Sequence, residues 1–429
     1  MKCTYACGSQ EHLLARRTFL GGVVAGVGAV VGGLGALATP SAARQLARDG
    51  KRVLVINMHG GLSQLESWDP KPGAPTGGPF RAIPTSVPGI HISELLPKTA
   101  QVMHHLALVR GVNTSEDDHG KGIYLMLHGR RQTPAADYPE IGAVVAKALE
   151  PLGGDALPGH IKITSGGGGR GNDAAYLGPR YASVRLGDGK PPSHSSRPDG
   201  MSDDDEARRQ QFRRLVNEHF LSRRRTAMTD LYTYSYEQAL QLMEQRQIFD
   251  VSLEPQKDQE RYGDHAFGRH CLLARRLLEH GITFVQVSHS NYDTHNENFR
   301  FHYEQMGEFD GPFATLISDL ADRGMLDSTL VVVLSEFGRT PNINQYYGRD
   351  HWSRAWSVCL AGAKIARGAV LGKTNENGTA VVDHQVDHAQ LFHTYLQAVG
   401  IDSFATIDVA GRPVPLADPA AAPIKELLA

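Results

Sequence analysis

Residues 330–352 read "LVVVLSEFGRTPNINQYYGRDHW". Leu330 to Leu334 are apolar and mostly β-branched, which suits a strand buried on both faces of a parallel sheet. The run then breaks into Glu336 and Arg339, and a loop delivers Arg349, Asp350 and His351. In open α/β sheets ligands bind beyond the carboxyl ends of the strands, so a core strand that empties into charge predicts a functional rim. The same form recurs upstream, with short apolar runs at Val53–Ile56 in "KRVLVINMHGG", Leu106–Val109 in "HHLALVRG" and Ile282–Val287 in "GITFVQVSHSNYDTH". Between the last two strands, Phe309, Phe313, Leu316, Ile317 and Leu320 follow helical spacing. Strand, helix and strand at that separation form a βαβ unit, so the sequence predicts an α/β protein with a mainly parallel sheet covered by helices on both faces.

Each strand exit releases side chains able to bind metal or move protons. Asn57 and His59 leave the first, and His119 follows the second after a loop. His289, Asp293 and His295 leave the third, and Glu336, Arg339, Asp350 and His351 follow the fourth. Singly these have bland readings. Asp293 with His295 makes an ordinary loop pair, Glu336 with Arg339 a salt bridge, and His59 before Gly60-Gly61 a capped turn. Together they predict a divalent metal site. Imidazole mixed with carboxylate suits Zn or Mn, or Fe, rather than the all-oxygen preference of Mg and Ca.

The 429 residues carry 41% hydrophobic and 21% charged side chains, ordinary for a globular chain, and a formal charge of -2 that offers no global attraction to nucleic acid. No P-loop and no GxGxxG at a strand-to-helix turn supports a nucleotide site. Near the N-terminus, Arg16-Arg17-Thr18-Phe19-Leu20 precedes an uncharged, glycine-rich stretch ending in small residues at Ser41–Ala43. That is the form of a twin-arginine signal peptide over residues 1–43, with a retained membrane anchor as the other reading of the same run. The expected partner is then the twin-arginine export machinery, with no stable membrane span after cleavage and a periplasmic or extracellular location. Cys271 and Cys359 sit in apolar runs, as a disulfide or as two buried thiols. Residues 44–429 read as one domain with a loop and helical insertion at about 165–260. Its first part, about 165–225, is rich in Gly, Ser, Pro and charge and is expected to be a long surface excursion. Phe212, Leu215, Val216 and Phe220 mark a solvated amphipathic helix within it.

"RRTFL", "HGGLSQLESWDPKPG", "LVRGVNTSEDDHGKGIYLMLHGRRQTP", "SEFGRTP" and "GRDHW" resemble a bacterial secreted family catalogued as domain of unknown function 1501, and the likeness runs from the arginine pair to "FHTYLQAVGID". That family is related to the alkaline phosphatase and sulfatase superfamily. The resemblance implies an alkaline-phosphatase-like three-layer α/β/α fold and a two-metal architecture. It also implies positions. His119, counted back from Gly129-Arg130, stands where the superfamily carries its nucleophile. Glu336 stands at a metal-binding aspartate, with Phe337 where a histidine would be. Asp293 and His295 resemble the Asp-then-His pair of the other metal. His351 resembles a late histidine before an outer strand, and Asn57 or His59 the end of the first strand. Two departures stand out: no Ser, Thr or Cys occupies the nucleophile position, and Lys121, Gly122 and Ile123 replace Pro-Ser-Arg. Ser63 and Ser115 are fallback nucleophiles.

The resulting expectation is an exported hydrolase of sulfate or phosphate esters acting on a small-molecule or polysaccharide ester. His59, Asp293, His295, Glu336, Asp350 and His351 are its candidate metal ligands, and His119, Arg339 and Arg130 its candidate catalytic residues. The alternative is an inactive sulfatase-fold protein serving as a surface glycan- or protein-binding module.

Overall fold

The computed structural model describes residues 49–429 except 135, 151–156, 166–170, 188, 193–194, 224–226 and 410, so the predicted signal segment lies outside the described residues. Ten strands matter here: β1 (Arg52–Met58), β2 (Leu106–Val112), β3 (His160–Ile163), β4 (Val184–Leu186), β5 (Phe284–His289), β6 (Thr329–Leu334), β7 (Gly338–Arg339), β8 (His351–Trp352), β9 (Trp356–Ala361) and β10 (Ala369–Leu371). All but β7 and β8 build one eight-stranded sheet in the order β10-β2-β9-β6-β1-β5-β3-β4. Strand β1 runs parallel to both neighbours, Val55 facing Gln286 on one side and Val332 on the other. Only β9 runs antiparallel to its neighbours β2 and β6.

Alternation along the strands sorts side chains into two helix-covered layers. Leu54, Ile56 and Met58 pack in one core cluster with α3 (Ala266–Glu279) and α4 (Asn298–Asp322), whose Phe309, Phe313 and Leu316 belong to it. Val53 and Val55 pack in the other with α1 (His119–His128), α2 (Ile141–Ala148) and α5 (His388–Ala398). The predicted three-layer α/β/α architecture with a mainly parallel sheet is therefore present, and the βαβ unit is β5-α4-β6 with β1 lying between its strands.

Three expectations differ. The glycine-rich stretch after residue 165 is not all excursion: Val184 and Leu186 are buried either side of exposed Arg185 and add the edge strand β4. The strand after His351 is not an outer one, because all six residues of β9 are buried and it is inserted between β2 and β6. Cys271 and Cys359 are buried free thiols. Residues Asp203–Arg223 form the expected helix, but without a buried apolar face: Phe212, Leu215, Val216 and Phe220 are all exposed. Among the described residues no helix is long and apolar enough to cross a membrane.

Candidate functional site

The carboxyl ends of β1, β5 and β6 lie side by side, and the turn after β1 decides how close their loops come. Gly60 and Gly61 hold φ of +118° and +89°, and a Cβ on Gly60 would stand 2.5 Å from the Asp293 amide nitrogen. Only glycine allows that backbone conformation and that approach together. Arg339 then locks the turn. It is fully buried and donates from Nε to the Gly61 carbonyl at 3.0 Å, from Nη1 to the Arg349 carbonyl at 3.0 Å, and from Nη2 to the Gly60 carbonyl and to Asp293 Oδ1, the last at 2.5 Å. Beneath it, Arg349 pairs with buried Glu66, Nη2 to Oε1 at 2.8 Å, and donates to the carbonyls of Thr76, Thr340 and Pro341.

On this floor stands a group of imidazoles. His119 is the first residue of α1, whose N-cap Asp118 accepts from the Lys121 amide at 2.9 Å. Its Nδ1 lies 2.6 Å from Glu336 Oε1, so Nε2 is directed at Asp293 Oδ2, 3.4 Å away. Glu336 is fully buried and also accepts from the Gly60 amide at 2.9 Å and the Ser335 hydroxyl at 3.0 Å. His295 Nδ1 donates to Asp350 Oδ1 at 2.8 Å, and His351 Nδ1 donates to the Asp117 carbonyl at 2.7 Å. Both rings therefore turn Nε2 inward, where the two nitrogens lie 3.0 Å apart and 3.1 and 3.3 Å from Asp293 Oδ1.

Two Nε2 atoms at that distance cannot both carry hydrogen: either one hydrogen is shared, with His295 as an imidazolium between Asp350 and Asp293, or the lone pairs face a cation. A tetrahedral centre with bonds of about 2.0–2.1 Å sets its ligand atoms roughly 3.3 Å apart, and His119 Nε2 and His351 Nε2 stand 3.4 and 3.3 Å from the two Asp293 oxygens. Ligand atoms of His119, Asp293 and His351 all lie within 4.8 Å of one another, and His119 Nε2 is buried without a hydrogen-bond partner. Electrostatics favour the ligand forms. Burial would raise Asp293, but the Arg339 hydrogen bond and charge prevail and hold it at about 2. Burial, with the nearby Arg339 and His119, lowers His351 and keeps it neutral. His119, Asp293 and His351 form a group whose donors could hold a divalent cation.

The predicted residues thus fall into four groups. His119, Asp293, His295 and His351 meet. Glu336 and Asp350 stand behind His119 and His295, each spent on an imidazole Nδ1 and not turned into the cluster, because burial against Gly60 fixes the first and the 2.8 Å bond to His295 the second. His59 is exposed at the rim, its ring parallel to His119 with centroids 6.3 Å apart. Arg339 and Arg130 have no free reach to the cluster: the first is bound by carbonyls, and the second, beyond the far end of α1, donates to the Pro415 carbonyl at 3.0 Å and lies 4.3 Å over Tyr138. Of the fallback hydroxyls, Ser63 is fully buried and Ser115 bonds Asn113 Oδ1 at 3.1 Å. Asn57 is buried with Oδ1 unpartnered. The Asp117 carbonyl, which sets the His351 ring, was not foreseeable from residue type, since any residue supplies a carbonyl.

A family model described as "Protein of unknown function (DUF1501)" matches residues 50–428, and the chain belongs to that family. No curated protein matches the sequence. Among solved structures, a lipoteichoic acid synthase from Listeria monocytogenes is similar at a TM-score of 0.38 and 8% identity over 86% of this chain and 75% of that one. A sulfatase from Pseudoalteromonas sp. is similar at 0.37 and 13% identity over 85% and 73%. An alkaline phosphatase superfamily protein from Vibrio parahaemolyticus is similar at 0.34 and 10% identity over 87% and 78%.

Proposed function

We propose that the protein is an exported, metal-dependent hydrolase of sulfate or phosphate esters. The observation that carries this reading is the meeting of His119, Asp293 and His351, whose ligand atoms lie within 4.8 Å of one another, with His119 Nε2 buried and without a hydrogen-bond partner. His119, Asp293 and His351 would hold it, with Zn or Mn favoured by the nitrogen-rich donor set. A divalent ion there would polarise the ester's non-bridging oxygens and acidify a water.

The chain's own residues divide the remaining work. Glu336 fixes the His119 tautomer by taking its Nδ1 proton as a hydrogen bond, which aims Nε2 at the cation and raises its basicity. Asp350 accepts the Nδ1–H of His295 in the same way, and the half-exposed His295 ring, its Nε2 turned toward Asp293, serves as the proton carrier. It takes a proton from the attacking water as the bond to phosphorus or sulfur forms. It returns that proton to the bridging oxygen as that bond breaks, giving an alcohol and an inorganic anion. Arg339 keeps Asp293 ionised. Among the described residues no hydroxyl or thiol nucleophile stands in the cluster, so direct attack by water is favoured over a covalent seryl or cysteinyl ester.

The test is turnover of p-nitrophenyl sulfate and p-nitrophenyl phosphate by purified protein supplied with Zn or Mn. Hydrolysis that a chelator stops and metal restores is expected. A metal-loaded protein that cleaves neither ester would sink the hydrolase reading. Export rests on the arginine pair, and replacing Arg16 and Arg17 by Lys should hold the protein in the cytoplasm. Undiminished export of that variant would refute the twin-arginine route.

A further inference from the structure

On α1, Lys121, Tyr124, Leu125 and His128 lie three and four residues apart and so share one face, which points away from His119. A cavity of about 860 Å³ opens beside Tyr124 and His128, within the size range of about 300–1,000 Å³ typical of small-ligand sites. A helix rise of about 1.5 Å per residue places these two side chains roughly 8 and 14 Å along the axis from His119. The cavity is therefore a separate feature from the imidazole cluster.

Its walls are aromatic. The Tyr124 and His128 rings stack at 3.7 Å with planes 7° apart, and Tyr138 meets Tyr176 edge-on at 6.5 Å. Its floor is polar: Lys162 bridges Glu140 at 2.5 Å and Asp173 at 2.8 Å. A polar group here lacks the partner a finished interior would supply. The Tyr176 hydroxyl is buried with no hydrogen-bond partner. His128 donates Nδ1–H to the Tyr124 carbonyl at 2.9 Å, which leaves Nε2 as an acceptor. Burial lowers His128 to about 4 and raises Tyr176 to about 12, so both are neutral at pH 7 and the tyrosine keeps a proton to donate. Ala175, also lining the cavity, is held at φ 43°, a left-handed conformation that costs a non-glycine residue energy and tends to cluster at functional sites.

The chemistry selects a ligand class. Apolar ring faces pack well on aromatic walls, while a mixture of donors and acceptors serves groups that both give and take hydrogen bonds, as sugar hydroxyls do. Neither sign of charge dominates, since the lining holds Asp137, Glu140 and Asp173 against Lys162 and Arg185, with Arg130 over Tyr138. A second hollow of about 560 Å³, lined by Lys121, Leu125 and Arg131, shares Asp137 with the first and extends it along the helix. We propose that this cavity is a carbohydrate-binding site for a neutral oligosaccharide chain, independent of the metal-type cluster.

Titration calorimetry tests it, with cellohexaose, mannohexaose and neoagarohexaose added to the purified protein with and without EDTA. At least one hexasaccharide is expected to bind, equally well with chelator present. Tyr176→Phe should weaken binding about fivefold, the worth of one neutral hydrogen bond, and Tyr138→Ala about tenfold through lost ring contact. Tyr176→Phe preserves the packing and carries the test alone if Tyr138→Ala fails to fold. The proposal is overturned if no hexasaccharide binds, if binding ignores both substitutions, or if EDTA abolishes it and so makes the ligand depend on a bound metal ion. Tighter binding of a sulfated hexasaccharide than of its neutral parent would overturn the ligand class.

Discussion

Two carboxylate–imidazole pairs stand at the same sheet edge in opposite surroundings. Glu336 is 0% exposed, and behind it lie the fully buried Arg339 and the ion pair Arg349–Glu66. Asp350 and His295 are 55% and 47% exposed. The buried pair is over-determined: the carboxylate accepts from a backbone amide and a serine as well as from His119, so that ring cannot turn. The exposed pair holds its ring by Asp350 at Nδ1 and by Asp293 at Nε2, both open to water, with Asn344 adding a 3.2 Å contact to Asp350. The first arrangement suits a ligand that must not move, and the second a group that must gain and lose a proton in contact with water.

Substitutions that break or sharpen this contrast should differ in kind as well as size. Arg349→Met leaves Glu66 as an uncompensated buried charge and should cost about 3–5 kcal/mol in denaturant unfolding. A loss well under 1 kcal/mol would erase the distinction between floor and rim. The pH dependence follows from the same pair. Burial alone would raise Glu66, but Arg349, and then His302, outweigh it and hold the carboxyl below its usual range. A carboxylate depressed in the folded state stabilises above its unfolded pKa of about 4.3, and that stability disappears as pH falls through the folded value. Glu66→Gln should therefore show a flatter acid-unfolding profile than the wild type.

Smaller effects separate the two imidazole pairs. Glu336→Gln should weaken zinc binding about 10–100-fold in chelator competition, because the histidine it orients loses its charged partner. Asp350→Asn should leave zinc affinity intact, change stability by no more than about 0.5 kcal/mol, and lower ester turnover about tenfold or more. Equal metal loss in the two variants would mean that the exposed pair is also built to hold the ion. Arg130→Gln, beyond the far end of α1, should change neither metal content nor turnover.

The fold was legible because a parallel strand buried on both faces must be a continuous apolar run, and Val53–Ile56 and Leu330–Leu334 are unmistakable as such. Strand β4 was hidden because its three residues lie in a stretch whose glycines and prolines dominate any window. At the site, residue type and strand exits pointed to Asp293, His295 and His351. They did not reveal that Glu336 and Asp350 serve imidazoles, since a carboxylate behind a ligand and a carboxylate acting as one look alike in sequence. Arg339 looked free for the same reason: the carbonyls that bind it belong to a glycine turn far away along the chain. His119 was found by position relative to Gly129-Arg130, but its hold on Glu336 depends on how α1 is set against the sheet.

The most direct measurement is metal content of the purified protein after dialysis against zinc, compared with an Asp293→Ala, His351→Ala double variant. The account predicts close to one tightly held ion per chain in the wild type and none in the variant. A folded wild type that takes up no zinc or manganese, or a variant that keeps its full complement, would contradict it.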